Sequence, residues 1–219
     1  MKTMKNLTTK LTVTAIAIAS FVSASLAQFE GTVEFKKMTT MDTTKYVYYV
    51  KGNKVRIDEI GARSKKVEGT FLIDLTAGTM MSLSHERKLY MDQKPGSPVT
   101  VGGKPEVKST KASKSLLGTN CKEITVTNAE EKTTIKYYVG GSKFDFFIKM
   151  LKLMNRKDKQ ASYFLLLGKE AGDGFPYLSV QTDDAGKETG RLEVEKVDKR
   201  PIDAAMFEIP KDYHKFEKN

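Results

Sequence analysis

Apolar and polar residues alternate with period two over most of the chain after residue 28, which predicts strands with one buried face. Phe29, Gly31, Val33 and Phe35 alternate with Gln28, Glu30, Thr32 and Glu34. The run YVYYVKGNKVRIDEI reads as a hairpin whose two-residue loop is Gly52-Asn53, a type II′ signal. Its register pairs Val50 with Val55 and Tyr48 with Ile57 on one face, and leaves Tyr49 and Arg56 on the other. Residues 71–75 and 79–83 form another pair around Ala77-Gly78, and 88–91 follows the polar turn 84–87. Hairpin-linked strands at this spacing predict an antiparallel meander, not βαβ units.

Residues 93–114 change character, with Pro95, Pro98 and Pro105 among Gly96, Gly102, Gly103 and several lysines. This stretch reads as a long loop, functional or mobile. Strands resume at 121–127 and 133–139. Residues 142–167 form the one helical region. Ser142 and Asp145 fit a capping box, and Phe144, Phe147, Ile148, Leu151 and Met154 recur at helical steps. Lys149, Lys152, Arg156 and Lys157 lie on or beyond the other face. After a polar break at 156–160, the apolar run 163–167 reads as helix, although periodicity alone leaves a strand open. Strands near 177–181 and 190–197 close the series. In the tail, Asp203 caps a short turn, and Phe207 and Ile209 alternate inward until Pro210 ends the strand.

The first 27 residues add a destination. Lys2, Lys5 and Lys10 precede an uncharged stretch from Leu11 to Ala24, and Ser25-Leu26-Ala27 is a small-x-small cleavage site. That order is an export signal. A membrane anchor is the alternative, but the apolar run is shorter than the roughly 20 residues a span needs. No Cys stands at the cleavage site, so a lipoprotein is not expected. Cleavage leaves a single domain at 28–219, soluble in the periplasm or outside the cell, and lowers the formal net charge from +10 to about +7. The excess favours anionic surfaces such as membrane headgroups. Its charges are scattered among acids with no nucleic-acid motif, so no nucleic-acid partner is expected.

Cys121 is the only cysteine, so no intramolecular disulfide forms and the fold rests on a hydrophobic core. A lone Cys is more often a small buried residue than a reactive thiol. His85 and His214, the only histidines, lack a metal-ligand spacing. No G-x-S-x-G nucleophile motif occurs, and the acid pairs Glu130-Glu131 and Asp183-Asp184 sit in turn-like contexts where adjacent carboxylates point apart. Gly102-Gly103-Lys104 lacks the strand-to-helix setting of a phosphate loop. The expectation is a protein that is not an enzyme and carries neither metal nor cofactor.

The segments YYVKGNKVRID, FLIDL, GTMMSL, KLYMD, LLGTNCKEITVT, KYYVGG and FEIPKDY follow one another in an order that resembles a secreted domain-of-unknown-function family related to the LolA/LolB-like lipoprotein carriers. The resemblance implies a mainly β (α+β) fold, in which a curved antiparallel sheet forms an unclosed barrel covered by one or two helices. It also implies a cavity for acyl chains between the sheet and a helical lid. The residues expected there are Phe144, Phe147, Ile148, Leu151 and Met154 from the lid, with Tyr48, Ile57, Met81 and Leu83 from the sheet. From composition alone, Lys149, Lys152 and Arg156 read as the solvated face of a buried helix or, as the other reading, as a basic surface facing an anionic membrane. The functional expectation is an exported binding or carrier protein for a lipid, a lipoprotein acyl chain or another apolar ligand. The alternative is a non-enzymatic envelope protein whose core is filled and whose basic surface docks a partner.

Overall fold

In the computed structural model, which describes residues 28–97 and 99–217, the alternating runs become one twelve-stranded sheet. The expected export signal at 1–27 lies outside the described residues. The strands are β1 (Gly31–Thr39), β2 (Thr43–Lys51), β3 (Lys54–Ile60), β4 (Val67–Asp74), β5 (Thr79–Ser84) and β6 (Leu89–Gln93), then β7 (Glu106–Leu116), β8 (Thr119–Asn128), β9 (Thr133–Gly140), β10 (Phe175–Thr182), β11 (Glu188–Lys199) and the two-residue β12 (His214–Lys215). The order across the sheet is β12-β6-β5-β4-β3-β2-β1-β11-β10-β9-β8-β7. Two meanders are thus joined through the β1–β11 ladder, where a bulge lies between Glu34 and Phe35. Every ladder is antiparallel except the short β12–β6 contact. The sheet does not close, because β7 and β12 remain its two ends.

The β2–β3 hairpin has the expected register, with Val50 opposite Val55, Tyr48 opposite Ile57 and Tyr49 opposite Arg56. Gly52 takes φ +55° and Asn53 stays at negative φ, the sign pattern of a II′ loop. The 93–114 loop is a correction: its second half is β7. All but the last residue of this edge strand is exposed, so no buried face exists to produce a period of two, and its lysines blunt the free edge. The tail also departs from expectation. Asp203 does cap a 3₁₀ turn, Ala204–Phe207, accepting from the Ala205 N–H at 3.0 Å. Phe207 and Ile209 are not in a strand, however; Phe207 is buried, Ile209 only half so, and the chain runs on to β12.

The helices are α1 (Asp145–Met154) and α2 (Lys159–Leu166), so the 163–167 run is largely helical. The capping box at Ser142 does not form. The α1 N-cap is Phe144, without a side-chain cap, and Asp145 instead accepts from Lys149 at 2.6 Å and Gln28 at 3.1 Å. The entry into α1 is fixed from outside, since Lys143 N–H donates to the Asp173 carboxylate at 2.7 Å and Phe144 N–H to the Asp173 carbonyl at 2.8 Å. Asp158 caps α2, accepting from the Gln160 N–H at 3.1 Å.

Both helices cover one face of the sheet. On that face lie Val33 and Phe35, Tyr48 and Val50, Val55 and Ile57, Ile135 and Tyr137, packed against Phe146, Phe147, Met150, Tyr163 and Phe164 of the helices. Phe71 of β4 and Tyr137 of β9 stand six strand positions apart, about 29 Å along a flat sheet at ~4.8 Å per strand. Both nevertheless line one cleft under the helices, so the sheet curves around them.

Candidate functional site

A cleft of about 990 Å³ of empty space, its open mouth included, runs between the curved face and the helices. Phe35, Tyr46, Tyr48, Ile57, Phe71, Tyr137 and Leu192 form its floor. Phe147, Leu151 and Met154 of α1, with Ala161, Phe164 and Leu165 of α2, form its roof. Aromatic contacts set the geometry: Phe35 stacks on Tyr46 at 5.3 Å and meets Tyr48 edge-on at 4.8 Å. Phe164 meets Tyr137 at 5.5 Å and Phe147 at 5.2 Å. Burial pushes the Tyr48 phenol far above its ordinary pKa and raises that of Tyr46 as well. The floor is therefore uncharged at any ordinary pH.

The mouth is polar. Lys37 of β1 pairs with Asp158, and the Arg156 guanidinium lies 4.7 Å above the Phe71 ring, a cation–π contact between the α1–α2 link and the sheet. Deeper in, the Gln160 carbonyl accepts from Tyr137 Oη at 2.7 Å, and its side chain accepts from Ser179 Oγ at 3.2 Å. Asn155 ends α1 at φ +46°, donates to Gly96 O at 3.0 Å and accepts from Val99 N–H at 3.3 Å, which brings Val99 to the cleft wall. A Cβ at Gly96 would lie 2.6 Å from Asn155 O, so only glycine permits this approach.

Of the expected cavity residues, Tyr48, Ile57, Phe147, Leu151 and Met154 line the cleft. Met81 and Leu83 do not. The ladder sets Phe71 opposite Ser82, while Met81 stands opposite Leu72 and Leu83 opposite Thr70, so both project from the other face. In TMMSLS both parities carry apolar residues, and a one-residue choice flips the face. Leu72, Leu83, Leu178, Ile202 and Phe207 are buried outside the main core. Phe144 packs below the start of α1 against Phe29 at 4.6 Å and Phe175 at 5.6 Å, and the half-buried Ile148 packs on the core; neither lines the cleft. Lys149 is paired with Asp145, Lys152 is exposed in the last turn of α1, and Arg156 sits at the mouth. Sequence reasoning missed Tyr46, Phe71, Phe35 and the Lys37–Asp158 pair. The first two were within reach, because Tyr46 shares the parity of Tyr48 and Phe71 pairs with Ile57.

A second polar cluster lies on the other face. Thr70 Oγ1 donates to Asp58 Oδ1 at 2.6 Å, and Arg56 Nε donates to the same oxygen at 2.8 Å. With its only proton so used, Thr70 accepts from His85 Nε2–H at 2.7 Å, which leaves His85 Nδ1 to accept from Tyr213 O–H at 2.6 Å. Burial, reinforced by Arg56 and opposed by Asp58, lowers the His85 pKa. Thr70 is fully buried, so its hydroxyl is out of reach of a substrate. Cys121 is buried too, and burial pushes its thiol up to about 11, far from a reactive thiolate.

The family described as "Domain of unknown function (DUF4412)" matches residues 29–213. Nothing among the curated proteins matches. Among solved structures, an uncharacterized conserved protein from Thermus thermophilus superposes with a TM-score of 0.53 at 9% identity, covering 85% of this chain and 89% of that one. This likeness concerns the fold alone. Two structures of PNGF-II, in space groups C2 and P21, give TM-scores of 0.44 and 0.43 at 13% and 14% identity, with 88% of this chain against 31% and 32% of theirs.

Proposed function

Because this chain belongs to the DUF4412 family, a domain of unknown function, we propose its role from its own cleft. It binds a lipid, a lipoprotein acyl chain or another apolar ligand, as an exported binding or carrier protein without catalytic activity. The observation that carries this reading is the cleft itself: an aromatic floor, an aliphatic and aromatic roof, and one polar mouth. Each methylene taken out of water there contributes about 0.8 kcal/mol. The LolA/LolB-like pattern of the strands and the signal-like N-terminus support export and carriage. Lys149 and Lys152, outside the cleft on α1, are where the carrier would meet an anionic membrane.

Native mass spectrometry of the protein purified from its own envelope tests the reading. A lipid should co-purify with it. If no lipid co-purifies and the delipidated protein binds no fluorescent fatty-acid probe, the alternative of a filled core with a docking surface takes its place.

A further inference from the structure

We propose that the cleft selects acyl chains carrying an anionic head, carboxylate or phosphate, and that Arg156 is the residue that holds that head. The inference rests on the acyl-chain reading above. It starts from the charges at the mouth, which are not equivalent. Asp158 is fully used: one oxygen caps α2 through Gln160 N–H, and the other pairs with Lys37. Lys37 is neutralised by the same contact. Glu59, opposite Tyr46 in the β2–β3 ladder, is the other carboxylate near this end, and it makes no ion pair with Arg156. Among the described residues no carboxylate lies within 4.0 Å of the Arg156 guanidinium, which is fixed instead by the Phe71 ring below it.

A guanidinium placed over an aromatic ring makes that contact without using its N–H donors, and those donors match the two oxygens of a carboxylate or phosphate. Phe71 is also part of the cleft floor, next to Ile57 in the ladder. An acyl chain lying over Phe71, Tyr46 and Tyr48 therefore ends its apolar path beside Arg156. The chain gains burial and the head gains a charge-assisted contact without opening the Lys37–Asp158 pair. A cationic head would meet Arg156 unfavourably, and an uncharged one would gain nothing from its charge.

The test titrates the delipidated protein with four ligands of one chain length, each below its micelle concentration: tetradecanoate, tetradecyl phosphate, tetradecanol and tetradecyltrimethylammonium. Both anions should bind at least tenfold more tightly than the alcohol, the cation should bind most weakly, and the tighter anion identifies the source of the head. Arg156→Gln should remove the preference for anions over the alcohol, with a native circular dichroism spectrum showing that the variant is folded; Arg156→Lys should recover part of that preference. Equal binding of anions and alcohol by the unaltered protein would overturn the head assignment while leaving acyl-chain binding intact. Binding of none of the four would overturn both.

Discussion

Phe147 and Phe164 meet edge to face, their ring centroids 5.2 Å apart and their planes at 71°, so an aromatic contact joins the two helices above the cleft. Phe147 is buried, whereas Leu151, one turn on, is half-buried and lines the cleft. The two positions should therefore respond differently to the same change. Phe147→Asp should unfold the domain, because an uncompensated charge in this core costs several kcal/mol. Leu151→Asp should keep the native circular dichroism spectrum and abolish binding of a fatty-acid probe. A Leu151→Asp protein that binds the probe normally would show that Leu151 is no part of the ligand site.

The register of β4 and β5 separates two adjacent methionines. Met80 faces the core at 6% exposure, and Met81 projects from the opposite face, half-buried. Met80→Ala should lower stability by about 2–3 kcal/mol, in the usual range for a buried methionine. Met81→Ala should cost less than about 1 kcal/mol by the same reasoning. Urea unfolding of the two variants measures both, and the reverse order would mean the strand is turned over.

His85 links stability to pH. Burial is the main cause of its lowered pKa, with Arg56 adding to it and Asp58 opposing, so the folded ring stays neutral to lower pH than the unfolded one at about 6.5. The unfolded chain then takes up the proton first, so this contribution is complete above pH 6.5 and is lost as pH falls through the lowered folded value. His85→Gln removes the titration. Urea midpoints should place the unaltered protein above His85→Gln at pH 7.5, with the gap narrowing at pH 5. A gap that widens towards acid would mean that the fold favours the charged ring.

Membrane contact through α1 is testable separately from ligand binding. Lys152 is exposed, and Lys149 shares its charge with Asp145. Flotation with anionic vesicles should recover more protein at low salt than with neutral vesicles, since exposed charges are screened beyond about 10 Å at 0.1 M ionic strength. The double variant Lys149→Glu, Lys152→Glu should lose that difference while remaining folded. Equal recovery with both vesicle types would remove the membrane surface from the account.

Strand pairing was legible wherever one face is buried and the turn is short. The β2–β3 hairpin follows from Gly52-Asn53 and from the alternation around it, to the residue. The pattern fails where both faces share one environment: β7 is exposed almost throughout, so its eleven residues show no period. It also fails in β5, where apolar residues of both parities allowed Met81 and Leu83 to be read as inward-facing. Helix positions were legible from their spacing, but their caps were not. The start of α1 is set by Asp173, 30 residues downstream of Lys143, and no local motif encodes that. The mouth of the cleft was hidden for the same reason, since Lys37 and Asp158 are 121 positions apart in sequence.

The chain contains no tryptophan, so a single one introduced into the cleft reports on it alone. Phe71→Trp keeps an aromatic ring on the cleft floor beneath Arg156, and Tyr49→Trp places the same reporter on the opposite face as a control. Titration of each variant with a dibrominated fatty acid, whose bromines quench only neighbouring indoles, asks directly whether an acyl chain enters the cleft. The account predicts saturable quenching in the Phe71→Trp protein, relieved by an unbrominated fatty acid, and little change in the Tyr49→Trp protein. Absence of quenching in the Phe71→Trp protein, or equal unsaturable quenching in both variants, would contradict it.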